Sequence, residues 1–252
     1  MLIETDELQD MLHVPTIEEL WDLLTRRMAG FGFDRLIYGA TRYRTATSLG
    51  DPDDFVLLTN HDAKYTDTFI GGGLFFHAPM VKWALENDGA CSWRVMHDMI
   101  DTGTLTAEER KVMAFNLAQG VTAGYSISFR SVSPRTKAAI ALTARKGMDQ
   151  AEVDAVWAEH GAVIQVLNTI AHLRFLSLPY TAPGRALTSR QREVLGWVGD
   201  GKTVQDIALL LGLTGATVEK HLRLARDALS VETTAQAVLK ASFQNQIFTF
   251  DV

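Results

Sequence analysis

Residues 187–195 have the sequence Leu-Thr-Ser-Arg-Gln-Arg-Glu-Val-Leu, and residues 216–222 have the sequence Ala-Thr-Val-Glu-Lys-His-Leu. Thr188 and Gln191 are spaced as a capping box, in which each side chain binds a backbone N–H at the start of a helix. Thr203 stands before a second apolar pattern with helical spacing and is predicted to cap it. The stretch therefore predicts short helices in close succession.

A third helix follows the second after a short turn. Gly212 suits the left-handed conformation that ends a helix, and Thr214 is placed to cap the next one. The third helix has apolar residues at Val218 and Leu222, with polar residues between them. Two short helices joined in this way, the second polar on one side, are typical of a helix-turn-helix, which places a helix in the major groove of DNA.

Residues 187–247 resemble the C-terminal DNA-binding domain of LuxR-type regulators. The sequence departs from the family at Gln191, where Glu is usual, and at Gly215 and Ala216, where polar or basic residues are common. The resemblance implies a transcription regulator that binds double-stranded DNA. It is specific because matching runs are spread over the whole region: Leu187-Thr188, Arg192-Glu193-Val194-Leu195, Gly201-Lys202, Ile207-Ala208, Leu211-Gly212, Thr217-Val218, His221-Leu222 and Ala235-Gln236-Ala237-Val238.

The predicted DNA contacts lie on and beside the third helix. Arg commonly binds guanine in the major groove, so Lys220 and Arg223 are expected to contact bases, and Glu219 can accept from cytosine. Thr217 and Lys202 are expected to contact phosphates, which position the protein without reporting the sequence. The full predicted set is Lys202, Thr217, Glu219, Lys220, Arg223 and Arg226.

A last helix is predicted from about Thr233, with Ala237, Val238 and Ala241 on a partly apolar surface. The resemblance implies that this helix pairs two copies of the chain. Residues 185–252 carry 8 Lys and Arg against 7 Asp and Glu, a net charge of +1. Phosphate contacts supply most non-specific affinity, so one copy alone is expected to bind DNA weakly. A homodimer on a two-fold-related promoter site is expected.

The rest of the chain is acidic and long enough for a second domain. The 252 residues have a net charge of −6, and residues 1–184 account for −7, from 16 Lys and Arg against 23 Asp and Glu. A single cysteine, Cys91, excludes an internal disulfide framework. No apolar run is long enough to span a bilayer, and the first ten residues are too acidic for a signal peptide. A cytoplasmic protein without membrane contact is expected, and the scattered histidines predict no metal site.

The front part of the chain alternates between helical and strand-like patterns. Tyr125, Ile127 and Phe129 alternate with Ser126 and Ser128, which predicts a half-buried strand. Helical patterns lie near residues 17–28, 66–70, 79–86, 106–118 and 149–170, and strand patterns near 33–42, 55–59, 125–129 and 138–144.

This order predicts an α+β protein. An N-terminal α/β/α sandwich with a central antiparallel sheet is followed by an all-α, four-helix helix-turn-helix domain. Two prolines and a glycine lie close together between the two parts and indicate a linker. The predicted domains are a sensing domain at 1–176, a linker at 177–186 and a DNA-binding domain at 187–252.

Residues 1 to about 176 resemble the LuxR autoinducer-binding domain, in which a sheet and a helical layer enclose an acyl-homoserine lactone. The family's tyrosine, which donates to the amide carbonyl, falls on His61, and its first tryptophan, which donates to the lactone carbonyl, falls on Tyr65. An aromatic that packs on the ligand falls on Phe69. The aspartate that accepts the amide N–H falls on Ala78, and the second tryptophan falls on Trp93.

The change at Ala78 alters the expected chemistry. Alanine cannot accept a hydrogen bond, and a buried amide N–H without an acceptor costs about 1–3 kcal/mol. The signal is therefore not a standard acyl-homoserine lactone, or is bound differently, or the domain works without a ligand. A standard lactone-dependent activator remains the alternative, and no other cofactor is predicted.

Two other classes of protein have less support. For an enzyme, Ser126 and Ser128 lack the Gly-x-Ser-x-Gly turn of a nucleophile, and Cys91 and His97 lie on different elements. No catalytic residue is therefore predicted. A response-regulator receiver would need paired acids after its first strand and a phosphoacceptor aspartate, which residues 33–62 do not supply in that order.

Overall fold

The structure is a computed structural model that describes residues 5–45, 47–131, 133–181 and 185–248. They form two compact units that divide between Leu176 and Ser177. Within the described ranges, no helix is both long and apolar enough to cross a membrane. The first unit has helices α1 Thr5–His13, α2 Ile17–Gly30, α3 Ala63–Thr66, α4 Pro79–Glu86, α5 Arg94–Asp101, α6 Ala107–Ala118 and α7 Gln150–Ser177, and strands β1 Phe33–Thr41, β2 Val56–Thr59, β3 Gly89–Ser92, β4 Gly124–Phe129 and β5 Lys137–Ala144.

The five strands form one antiparallel sheet in the order β2-β1-β5-β4-β3. β5 lies at the centre, where Leu142 pairs with Leu36 of β1 and Ile140 pairs with Ile127 of β4. The central antiparallel sheet is confirmed, and so is the α+β class.

One face of the sheet packs against α2 and α7 and forms the main core. Leu36, Tyr38 and Ile140 point to this side and are almost fully buried. The Tyr38 hydroxyl is 2.9 Å from Nδ1 of His172 on α7. Burial raises the pKa of Tyr38 and lowers that of His172 to about 4. Burial disfavours the charged form of both groups, so the phenol of Tyr38 and the imidazole of His172 are neutral in this core at neutral pH.

The opposite face is covered by the segment from α3 to α6, so the sheet lies between two helical layers. Ser126 and Ser128 of β4 point to this second face and are only 3% and 2% exposed. The Ser128 hydroxyl is 2.7 Å from the carbonyl of Ala84 in α4. The prediction of a half-buried strand is wrong here, because helices cover both faces.

Three elements have no clear signal in the sequence, namely α1, β3 and α5. β3 pairs with β4 at the sheet edge, with Cys91 opposite Ser126. Its residues, Gly89 to Ser92, include no β-branched or aromatic side chain and are all half-buried. Neighbouring strands therefore determine this strand more than its own propensity does.

The second unit is the predicted four-helix domain. Thr188 and Thr203 both form capping boxes, and Gly212 has the left-handed φ of 64° expected at a helix end. Its helices are α8 Ser189–Gly199, α9 Val204–Leu211, α10 Gly215–Leu229 and α11 Thr234–Phe243. Its fully enclosed core residues are Leu187, Val194, Leu195, Ile207, Val218, Leu222, Ala225, Leu229, Ala237, Ala241 and Ile247.

Part of the predicted linker packs on the second unit. Leu178 is buried, and its carbonyl accepts a hydrogen bond from the side chain of Asn245 at 3.1 Å. The backbone N–H of Tyr180 donates to the carbonyl of Gln244 at 3.0 Å. Residues 182–184 lie outside the described residues. Residues 178–180, which follow α7, are therefore held by hydrogen bonds to Gln244 and Asn245.

Candidate functional site

The first unit contains a cavity of about 190 Å³ between the second face of the sheet and the segment from α3 to α6. Its walls are mostly apolar, with Ile70, Phe75, Met80, Val81 and Met96 among the lining residues. Among the described lining residues, Lys137 carries the only charge. A volume of this size lined by apolar side chains suits a small, mostly apolar molecule.

Small residues on the sheet leave room for this cavity. Gly39 of β1 lies opposite Ala139 of β5, and Ile37 lies opposite Ala141 on the same face. A Cβ atom added to Gly39 would meet no other atom within 4 Å. The open space therefore results from short side chains on the central strands.

The cavity brings together four of the five residues predicted to bind a ligand. Tyr65, Phe69, Ala78 and Trp93 all line it and are all at least nine-tenths buried. The rings of Tyr65 and Phe69 are stacked, with centroids 5.1 Å apart. The sequence therefore identified the aromatic end of the cavity.

His61 is not among the residues that line the cavity, and its contact with the ligand stays a prediction. Its ring stacks on that of Tyr65, with centroids 4.3 Å apart. Burial, followed by the nearby charge of Arg35, lowers the pKa of His61 to about 4. The imidazole is a neutral packing partner of Tyr65 at neutral pH.

Two polar residues of the cavity were missed in the sequence. The Tyr65 hydroxyl donates to Oδ1 of Asn116 in α6 at 3.0 Å. The indole N–H of Trp93 donates to the hydroxyl oxygen of Ser126 at 2.9 Å. Asn116 follows Val112 by four positions and so shares its buried helix face, a signal the pattern did contain.

The exposed surface of the second unit lies along α10. Glu219, Lys220 and Arg223 are exposed on one side of this helix, and the opposite side is buried. Arg223 pairs with Asp227 one turn later, with Nη1 and Oδ2 3.0 Å apart. Lys202 is exposed in the turn before α9. The cations Lys220 and Arg223 and the acceptor Glu219 are therefore exposed on α10, the second helix of the helix-turn-helix. In such proteins this helix enters the major groove.

Known protein families match both units. The autoinducer binding domain matches residues 16–175, and the LuxR family of bacterial regulatory proteins matches residues 185–241. The chain belongs to the LuxR family. It is a quorum-sensing transcription regulator with an autoinducer-binding domain and a DNA-binding helix-turn-helix.

Relatives of this LuxR-family chain match it over nearly its full length. The transcriptional activator protein AnoR of Acinetobacter nosocomialis is 22% identical over 246 residues, which cover 94% of this chain and 96% of AnoR. Escherichia coli SdiA covers 97% of each chain with a TM-score of 0.54 and 15% identity. SdiA in complex with octanoyl-rac-glycerol covers 100% of each chain with a TM-score of 0.53 and 15% identity. At these identities the structural likeness shows a shared fold.

The residues on either side of Trp93 bind Asp154 of α7 in this LuxR-family chain. We name the group the Asp154 cluster: its Oδ1 accepts from Ser92 at 2.7 Å, and from Tyr125 and Gln150 at 2.9 Å. Its Oδ2 accepts from Nε of Arg94 at 2.9 Å. Burial alone raises the pKa of Asp154, but these hydrogen bonds lower it to about 2. The carboxylate is therefore a charged anchor that joins the Trp93 segment to α7.

Gly124 allows Trp93 to sit close to the sheet. A Cβ at Gly124 would lie 2.3 Å from the carbonyl oxygen of Leu142 and 3.0 Å from the Trp93 ring. The strand predicted near 125–129 is present, and it begins one residue earlier, at Gly124. Only glycine fits between the central strand and this indole.

Two of the predicted DNA contacts make bonds inside the second unit. Arg226 is half-buried, and its Nη1 donates to the hydroxyl of Thr234 in α11 at 2.9 Å, so it is not part of the exposed set. Thr217 is half-buried, with its hydroxyl 2.9 Å from that of Thr214. Arg226 therefore ties α10 to α11, and Thr217 supports the start of α10.

The predicted dimer residues lie inside the unit. Ala237 and Ala241 are completely buried in its core, and Val238 is half-buried against the same core. The expectation of an exposed surface here is wrong, because these residues form the inward face of α11. The outward face carries Ala235, Leu239 and Phe243, spaced four residues apart.

Proposed function

We propose that this LuxR-family regulator binds a small, uncharged, mostly apolar signal other than a standard acyl-homoserine lactone. We further propose that it binds a two-fold-related promoter site as a homodimer in the cytoplasm. The observation that carries the signal proposal is the mostly apolar cavity, which holds no carboxylate among its described lining residues. A buried amide N–H at Ala78 would lack the acceptor that the family supplies, at a cost of about 1–3 kcal/mol.

A neutral ester is one class of molecule that fits such a cavity. SdiA, which shares the fold, has been solved in complex with octanoyl-rac-glycerol, a molecule without an amide N–H. A standard lactone-dependent activator is the second candidate, favoured by the match to the autoinducer binding domain over residues 16–175. The two candidates differ in what the position of Ala78 must provide.

The first experiment identifies the signal. Full-length protein purified from its native host is denatured, and the mass of any released small molecule is measured. Calorimetry then compares the wild type with Ala78→Asp against N-acyl-homoserine lactones of several chain lengths. We expect weak wild-type binding to these lactones, and loss of the native signal in the variant, because the new carboxylate would be buried without a partner.

A matched control separates the cavity from general damage. Ala158 is exposed on α7, so Ala158→Asp adds the same charge away from the cavity and should leave binding unchanged. Tight wild-type binding to any standard lactone would refute our choice of signal and support the second candidate. The proposal would also fail if no small molecule is released and the protein binds DNA fully without one.

The DNA proposal is tested on Arg223 and Lys202. A good contact between Arg and guanine is worth about 1–3 kcal/mol of discrimination. Arg223→Ala should therefore relax one base position in each half-site when sequences are selected from a random DNA pool. Lys202→Ala should lower the affinity for all DNA sequences alike and reduce the salt dependence of binding. An unchanged selected sequence for Arg223→Ala would contradict this assignment.

The homodimer proposal is tested on the outward face of α11. Leu239 is 52% exposed and lies between Ala235 and Phe243 on that face. Leu239→Glu should lower dimerisation in analytical ultracentrifugation and weaken binding to a two-fold site together. A variant that stays dimeric and binds DNA normally would show that other surfaces hold the two copies.

A further inference from the structure

The polar groups of the cavity are concentrated at the end that Trp93 occupies. Asn116, Ser126 and Thr143 line the cavity there and are 8%, 3% and 1% exposed. Asn116 comes from α6, whereas Ser126 and Thr143 come from adjacent strands on one face of the sheet. Buried polar groups of this kind are normally hydrogen-bonded, so any N–H or O–H among them that is left over calls for an acceptor.

These groups have hydrogen atoms to donate and lack acceptors for them. Oδ1 of Asn116 accepts from Tyr65 at 3.0 Å, which leaves the two N–H bonds of Nδ2 without an acceptor among the described residues. The Ser126 oxygen accepts from Trp93 at 2.9 Å, and its own O–H has no acceptor within the same ranges. The Thr143 hydroxyl likewise has no side-chain or backbone partner in the described part of the chain.

Among the described residues that line the cavity, no charged group is ready to meet a charged ligand. Nζ of Lys137 is 2.8 Å from Oδ1 of Asp88 and 2.9 Å from the carbonyl of Asn87, so its charge is already balanced. A carboxylate ligand would therefore lack a free cation, and an ammonium ligand would lack a carboxylate. The ligand must bring acceptor oxygens and no net charge.

We infer that Asn116 is a specificity-determining residue, whose side-chain N–H donates to a carbonyl oxygen of an uncharged acyl ester or ketone signal. This inference rests on the proposed function, because it assigns a chemical class to the signal in the same cavity. An ester meets the donors of Asn116 and Ser126 with its oxygens and has no N–H of its own. An amide adds a donor to an end of the cavity already rich in donors.

The sheet indicates where the apolar tail lies. Thr143 and Ala139 are four residues apart on β5, which corresponds to about 13 Å along the strand. The open space above Gly39, opposite Ala139, continues the cavity in that direction. The acyl chain therefore runs from the donor end toward Gly39.

The test uses two probes that differ at a single position. These are N-octanoyl-homoserine lactone, an amide, and α-octanoyloxy-γ-butyrolactone, the corresponding ester. Calorimetry with the full-length wild type should show the ester bound about tenfold more tightly, since one mismatched buried donor has about that effect. Asn116→Leu, of similar volume, should weaken ester binding about tenfold and bring the ratio of the two affinities close to one.

The ratio within each variant is its own control, because a general distortion of the cavity weakens both probes alike. Tyr65→Phe gives a second measurement should Asn116→Leu not fold. It frees Oδ1 of Asn116 to accept an amide N–H, so the ratio should shift toward the amide. Gly39→Val should weaken octanoyl probes more than butanoyl ones.

Several outcomes overturn the inference. The inference is wrong if the wild type binds the amide at least as tightly as the ester. It is also wrong if neither Asn116→Leu nor Tyr65→Phe changes the ratio of the ester affinity to the amide affinity. Binding of neither probe also refutes the class of signal. In that case the mass of the molecule released from the native protein still decides separately whether the cavity holds a signal at all.

Discussion

Replacing Asp154 with asparagine should destabilise the first unit by about 2–3 kcal/mol. The carboxylate accepts hydrogen bonds from Ser92, Tyr125, Gln150 and Arg94 at 2.7–2.9 Å. Bonds to a charged group contribute about 1.5–3 kcal/mol each, and an asparagine keeps only one acceptor oxygen. Because the side chain of Asp154 is 22% exposed, solvent screening reduces the sum.

The assay is urea unfolding of the full-length protein, followed by tryptophan fluorescence. Trp157 stacks on Tyr125 of the cluster, with ring centroids 3.9 Å apart, so its emission reports on this region. Glu159→Gln is the matched control, since it removes one negative charge from an exposed position of the same helix. The control should differ from the wild type by less than about 0.5 kcal/mol.

The pH dependence has a defined sign. The pKa of Asp154 is about 2 in the folded chain and about 4 when unfolded. Its contribution is thus fully present above about pH 4 and lost as the pH falls toward 2. The gap between wild type and Asp154→Asn should stay constant from pH 8 to pH 5. If the variant matches Glu159→Gln at pH 7, the Asp154 cluster does not stabilise the unit.

Three further predictions concern packing and protonation. Gly124→Ala should destabilise the protein by at least about 2 kcal/mol, since its Cβ would lie 2.3 Å from a carbonyl oxygen, whereas Gly39→Ala should melt within a degree or two of the wild type. Acid should lower the melting temperature between pH 7 and pH 5: the buried, neutral His61 and His172 have pKa values near 4, below the unfolded value of about 6.5, so each costs about 2 kcal/mol at pH 5. A melting temperature that stays constant from pH 7 to pH 5 would contradict the burial of these two histidines. Ala237→Glu should abolish the helical signal of the second unit in circular dichroism, because it buries a charge, and Leu239→Glu should preserve it.

The second unit was predictable because its signals are local. A capping box at Thr188, a capping residue at Thr203 and the glycine at Gly212 indicate where helices begin and end, and the structure has them in those places. The inward face of α11 was misassigned, because alanines at 237 and 241 are small enough to suit either a core or a surface. Leu239 and Phe243 compete with them as the apolar face, and only the packing of α8 and α10 decides between the two.

The cavity was predictable only in part, because its polar residues depend on distant contacts. Ser126 alternates with aromatic residues as a solvent-facing serine does, and only the helices on the second face bury it. Asn116 meets Tyr65 across 51 positions of sequence. The family resemblance located the aromatic residues, since they lie on one ungapped stretch. It did not point to Asn116, the proposed hydrogen-bond donor.

The two faces of the sheet differ in how far their residues can be substituted without disturbing the fold. Tyr38 and Ile140 are held by α2 and α7, and changes there would disturb folding. Gly39 and Ala139 are their chain neighbours, yet they line the cavity on the other side, where a Cβ at Gly39 would meet no atom within 4 Å. Substitutions at Gly39 and Ala139 can change the shape of the cavity while the opposite face keeps the core packed. A change in the molecules that fit the cavity therefore requires no compensating substitution in the main core.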